Sequence, residues 1–122
     1  MSKVFSTGPL ENANGPLTTA SFVMVKVLNN DTDDETEAHI KVFALNGDKI
    51  EIGDETLEVE PESSDFTSFD VSNAVEYEVQ IELEEETDDV LVSVFGKNVD
   101  NELIAAHRVL QSELKKIDEL TD

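Results

Sequence analysis

Apolar and polar residues alternate with a period of two over much of the chain. Val75, Tyr77, Val79, Ile81 and Leu83 alternate with Glu76, Glu78, Gln80, Glu82 and Glu84. This spacing sends the apolar set to one face of an extended strand and the acids to the other. It predicts a half-buried antiparallel strand with a wet acidic face. Residues 20–28 (ASFVMVKVL), 37–45 (EAHIKVFAL) and 90–95 (VLVSVF) follow the same logic, rich in β-branched and aromatic residues.

The punctuation between these runs is that of turns. A polar run, 29–34 (NNDTDD), ends the strand at 20–28. Asn46-Gly47 between apolar runs predicts a hairpin, because both residues accept positive φ. Residues 49–59 continue as one long strand or two short ones, with Gly53 as the place for a bulge, and Pro61 stops them. Residues 66–71 (FTSFDV) predict a short strand. The polar stretch 84–89 reads as a hairpin loop between the strands at 75–83 and 90–95. Residues 97–101 form another turn, from which 103–111 return as a strand with a short helical or frayed tail after it. Leu103, His107, Leu110, Leu114 and Ile117 also fit an amphipathic helix, which leaves helix over 101–120 as the alternative. A short strand is expected at residues 4–6, followed by the leash 7–16 (TGPLENANGP).

Short strands separated by turn signals of this kind predict an all-β fold, an antiparallel β-sandwich, jelly-roll-like, with about eight strands. The chain then divides into an N-terminal arm or connector at 1–16, a sandwich at 17–113 and an acidic tail at 114–122.

Three strands are apolar on both faces. Phe22, Met24 and Leu28 lie opposite Val23, Val25 and Val27. Phe43 and Leu45 lie opposite Ile40, Val42 and Ala44, and Leu91 and Phe95 opposite Val90, Val92 and Val94. A two-layer sandwich needs one apolar face per strand. The second faces therefore predict contacts between copies, unless loops or the tail cover them within one chain. Val4 and Phe5 in the arm join this set, since a short strand on a leash can pair with a neighbour's sheet edge. Head-to-tail pairing that does not close gives a filament.

Charge changes the picture next. The 122 residues carry 29 Asp and Glu against 8 Lys and Arg, a formal charge of −21. Nucleic acid and anionic membrane surfaces are excluded as partners, because both demand clustered cations. Hydrophobic residues make up 39% of the chain, so the charge does not imply disorder. With no Cys there is no disulfide framework and no thiolate chemistry. No stretch approaches a membrane span, and residues 1–9 lack a signal-peptide core, which predicts synthesis and retention in the cytoplasm or export by a non-standard route.

Candidate chemistry is sparse. Asp31, Asp33, Asp34 and Glu35, with Glu37, make one acidic cluster, and Glu84, Glu85, Glu86, Asp88 and Asp89 another. The first offers a weak Ca²⁺ site at Asp31, Asp33, Asp34 and Glu35. It lacks the EF-hand pattern, since Thr36 stands where Gly is needed and Val42 where Glu is needed. Mutual repulsion should raise carboxyl pKa values in such clusters. His39 and His107 are far apart and make no metal site alone. Ser63, Ser64 and Ser68 lie near Asp65 and Asp70, without a nucleophile elbow. No cofactor and no enzymatic activity is expected. Glycan binding is disfavoured, because the chain has no Trp and the alternation buries its one Tyr, Tyr77.

The segments Ser6–Leu10 (STGPL), Val25–Asn29 (VKVLN), Val42–Gly47 (VFALNG), Glu76–Ile81 (EYEVQI), Val92–Lys97 (VSVFGK) and Ala105–Val109 (AAHRV) resemble small β-proteins of endospore-forming bacteria. In architecture the chain resembles the subunits of endospore appendages, jelly-roll domains with an N-terminal connector. The resemblance implies a structural subunit of an extracellular or spore-surface filament, whose partners are copies of itself and whose connector docks into a neighbour. Appendage connectors carry cross-linking cysteines, and this chain has none. A non-catalytic binding module for a protein partner is the alternative expectation.

Overall fold

Strand after strand in the computed structural model follows the period-two pattern. The structure describes residues 2–12, 15, 18–84 and 89–122. The strands are β1 (Lys3–Ser6), β2 (Leu10–Glu11), β3 (Phe22–Asn29), β4 (Thr36–Asn46), β5 (Asp48–Val59), β6 (Ser63–Asp70), β7 (Glu76–Leu83), β8 (Val90–Lys97), β9 (Leu103–Leu110) and β10 (Lys115–Ile117). They form two antiparallel sheets. The larger has the order β10-β1-β7-β4-β5, with β2 also on β7, and the smaller the order β6-β3-β8-β9. The fold is an all-β sandwich.

The core lies between the sheets. Val23, Val25 and Val27 of β3 and Val90, Val92 and Val94 of β8 meet Ile40 and Val42 of β4 and Tyr77, Val79, Ile81 and Leu83 of β7. These are the inward sets that the alternation selects. Val75 belongs to the same set in sequence but precedes β7 and is exposed.

Two hairpins join neighbours within a sheet. In the β4–β5 hairpin Gly47 turns the chain at φ 100°, a value that favours glycine. The β8–β9 hairpin turns through Asn98, whose Oδ1 accepts the N–H groups of Asp100 and Glu102. Both pairings shift register. One shift leaves Ile52 unpaired beside Gly53, over which the Phe69 ring lies. The other, after Phe95, gives β9 extra residues and folds His107 inward over Gly96.

The expected hairpin between residues 75–83 and 90–95 is corrected: β7 and β8 belong to different sheets and do not pair. Alternation gives a strand two faces but not its neighbour. Residues 85–88, with Glu85, Glu86 and Asp88 of the second acidic cluster, lie outside the described residues. Residues 103–110 are strand, and a 3₁₀ turn at Gln111–Glu113 leads into β10. Parts of the arm and tail are thus strands of the larger sheet, with β1 paired to β7 on one side and β10 on the other.

Candidate functional site

The larger sheet's outer face was expected to be wet along β7. Instead Glu78 and Gln80 are buried there. The reason is the chain ends. Ser6 Oγ on β1 donates to Glu78 Oε2 at 2.5 Å, and Gln80 Nε2 donates to the same oxygen at 3.0 Å. Lys49 Nζ of β5 pairs with Glu78 Oε1 at 2.7 Å and lies 4.6 Å from the Phe43 ring centroid. Thr121 then lies over the group. Its N–H donates to Gln80 Oε1, its Oγ1 accepts from Gln80 and Lys49, and its carbonyl accepts from Lys41. Burial pushes the Glu78 carboxyl up, but its bonds to Lys49, Ser6 and Gln80 outweigh this and hold it below the usual range.

This arrangement accounts for part of the apolar second-face set. Val4 and Phe43 are buried on that outer face, and Leu45 is half-buried. Phe5 points the other way and packs against the core.

The smaller sheet is different: its outer face is open. Phe22, Leu28 and Leu91 are 45%, 39% and 45% exposed, and Met24 and Phe95 are half-buried. Strand register arranges the face in rows. Leu28 sits beside Leu91, Met24 beside Phe95, and Phe22 beside Lys97. Phe66 of β6 adds to it at Lys26, and Leu103 and Leu110 of β9 extend it past Lys97 and Ser93. The face is therefore apolar across four strands.

Three cations lie within it. Lys26, Lys97 and Arg108 have the same facing as Met24 and Phe95, so this face holds three of the chain's 8 Lys and Arg. Lys26 Nζ is 6.0 Å from the Phe95 ring centroid. Among the described residues, none of the three is in salt-bridge range of a carboxylate. Sequence reading missed these cations, although the parity that groups Phe22, Met24 and Leu28 also includes Lys26.

The remaining candidates do structural work. Asp31 Oδ1 accepts the N–H groups of Asp33 and Asp34 at 2.8 and 2.9 Å, which hold its carboxyl below the usual range. Glu35 hydrogen-bonds Glu60 and feels the charges of Glu60, Glu58 and Glu37, which push its carboxyl up. Asp33 and Asp34 are exposed on the same loop. Among the described residues, no group of three or more His, Cys, Asp or Glu is arranged to hold a metal ion. His39 Nε2 lies 2.6 Å from Asp54 Oδ1 at the surface. His107 is buried: with a neutral ring, Nε2–H donates to the Glu11 carbonyl at 2.8 Å and Nδ1 accepts from the Tyr77 hydroxyl at 2.9 Å. Burial raises the Tyr77 hydroxyl far above its usual range, so it stays a donor.

No family model matches the chain, and no curated protein matches it. Among solved structures it is similar to the Anabaena sensory rhodopsin transducer, 13% identical, with a TM-score of 0.49 over 75% of this chain and 85% of that one. It is also similar to Thermotoga maritima 1070, 12% identical, with a TM-score of 0.44 over 95% of this chain and 89% of that one. Likeness at this level carries no function across.

Proposed function

We propose that this chain is a structural subunit that assembles with copies of itself through the outer face of the smaller sheet. The observation that carries the proposal is the contiguous apolar surface of Phe22, Met24, Leu28, Leu91 and Phe95, left open by a chain that covers the corresponding face of its other sheet. An open apolar sheet face of this kind marks an interaction surface. Assembly through the N-terminal arm requires β1 to leave its place between β7 and β10 and to re-form the same pairing in a neighbour. The open face needs no such rearrangement. A filament at a spore surface or outside the cell is supported by the sequence resemblance alone.

Light scattering of the full chain at about 0.5 M salt, where the Debye length is near 4 Å, tests the proposal. Concentration-dependent growth in mass that Leu91→Asp abolishes is the expected result. A wild-type chain that stays monomeric at high concentration would overturn it. Lys26, Lys97 and Arg108 favour a second reading, a binding module for an acidic protein partner. A one-to-one complex with such a partner, and no self-association, would decide for that reading.

A further inference from the structure

The partner surface follows from the charges, on the premise that copies assemble through this face. Among the described residues of its rows the one acid is Asp70, at the β6 margin. Two such faces packed on each other would bring Lys26, Lys97 and Arg108 against the same three cations in a desolvated contact, which disfavours a self-complementary pairing. The occupant must be acidic and must carry apolar surface.

The chain has such a surface at the open end of the sandwich. A cleft of about 440 Å³ lies between β5 and the β6–β7 connection, its lining including Ile50, Ile52 and Val71 and the polar Asn46, Asn73 and Asp70. Ile50 and Ile52 are exposed. They stand on β5 among Asp48, Glu51, Asp54 and Glu55, of which Glu51 is spent on Lys41 and Asp54 on His39. Asp48, which pairs with Asn46 at the cleft, remains exposed, and the Ser72 hydroxyl and N–H hold the Asp70 carboxyl below the usual range. The cleft sets apolar side chains among two asparagines and Asp70, which it shares with the face margin, with Asp48 beside it on β5, and the face is apolar with interleaved cations.

We infer that the cleft of one copy receives the cationic face of the next, giving a heterologous contact that leaves a free face and a free cleft at the two ends. Such a contact propagates unless its rotation closes a ring. Sedimentation velocity on full-length chains tests it. A face variant (Lys97→Glu with Arg108→Glu) and a cleft variant (Ile50→Lys with Asp48→Lys) change side chains that are exposed or, at Lys97, half-buried. Each alone should remain monomeric where the wild type grows beyond a dimer. Mixed in equal amounts they should form a one-to-one dimer that grows no further, because the mixture contains one intact face and one intact cleft. That dimer also shows that both variants fold. If the cleft variant assembles like the wild type, or the mixture stays monomeric beside an assembling wild type, the inference is wrong and the face proposal survives. If the wild type is itself monomeric, the face proposal falls and this inference with it.

Discussion

Asn12 donates from Nδ2 to the carbonyls of Ala20, Val71 and Ala74, and its Oδ1 accepts the Ala20 N–H at 2.7 Å. One side chain thus joins four buried backbone groups from two separate segments, Ala20 and the turn at 71–74. Asn12→Ala leaves three of them without partners, since the Val71 carbonyl keeps the Ala74 N–H, each at a cost of about 1 kcal/mol or more. The expected loss is about 3 kcal/mol of unfolding free energy in a urea titration, with no change in secondary structure at low denaturant. A loss below 0.5 kcal/mol would show that water takes over the role. Gly96 is a second pressure point: a Cβ there would lie 2.7 Å from the His107 Cβ. Gly96→Ala should cost about 1–3 kcal/mol by overpacking. It should also displace His107 from Tyr77, visible as a changed imidazole chemical shift. Little of this was legible in sequence. Asn12 sits in a Gly- and Pro-rich stretch that reads as a leash, and His107 sits between Ala106 and Arg108 with nothing to mark it as buried. A bulge fixes its direction, and bulges erase the parity on which strand reading depends.

The chain ends act as elements rather than appendages. β1 joins β7 to β10, and Ser6 and Thr121 close the outer face over Glu78 and Gln80. Removing residues 2–12 therefore deletes two strands and the Asn12 bonds together. The expected result is a broad, low-temperature melt, and not the folded, assembly-deficient monomer that a free leash would leave. Glu78 gives this layer a pH dependence of definite sign. Its folded value lies below its ordinary 4.5, so the stabilisation is complete above that pH and is lost as pH falls through the lowered value. Glu78→Gln should remove that part of the acid sensitivity. Chemical denaturation between pH 5 and 3 should show a shallower decline for the variant than for the wild type, and an equal slope would contradict the assignment. The strand at residues 4–6 was legible from three apolar-rich residues. Its neighbours were not, because β7 alternates as if its second face were wet. A sequence records the composition of a face but not whether a distant segment returns to cover it.

At the scale of the molecule, the alternation predicted two antiparallel layers and most of their inward residues correctly. The same alternation flagged surplus apolar faces on 20–28, 37–45 and 90–95. The structure divides these by sheet, burying Phe43, half-burying Leu45 and exposing Phe22, Leu28 and Leu91. The formal charge of −21 sits largely outside both layers. Repulsion among surface carboxylates opposes the compact state, and it extends across the molecule at low salt. Raising NaCl from about 20 mM to about 500 mM shortens the screening length from about 20 Å to about 4 Å. The short bonds at Glu78 are screened less than the long-range repulsion, because they are buried. The melting temperature should therefore rise by several degrees over this range. Acidification should add a second, opposite pair of effects. Glu35, pushed up by Glu60, binds a proton more readily in the folded chain, so its penalty eases as pH falls from 7 toward the carboxylate range. Asp31, Asp70 and Glu78 are all held low, so their contributions vanish only below that range. Stability at low salt should accordingly hold or increase slightly from pH 7 to 5 and then collapse below about 4. At high salt the first part of that curve should flatten, since the repulsion that protonation relieves is already screened. A melting temperature that falls steadily from pH 7 to 5 at low salt would mean that favourable ion pairs, and not carboxylate repulsion, govern this fold.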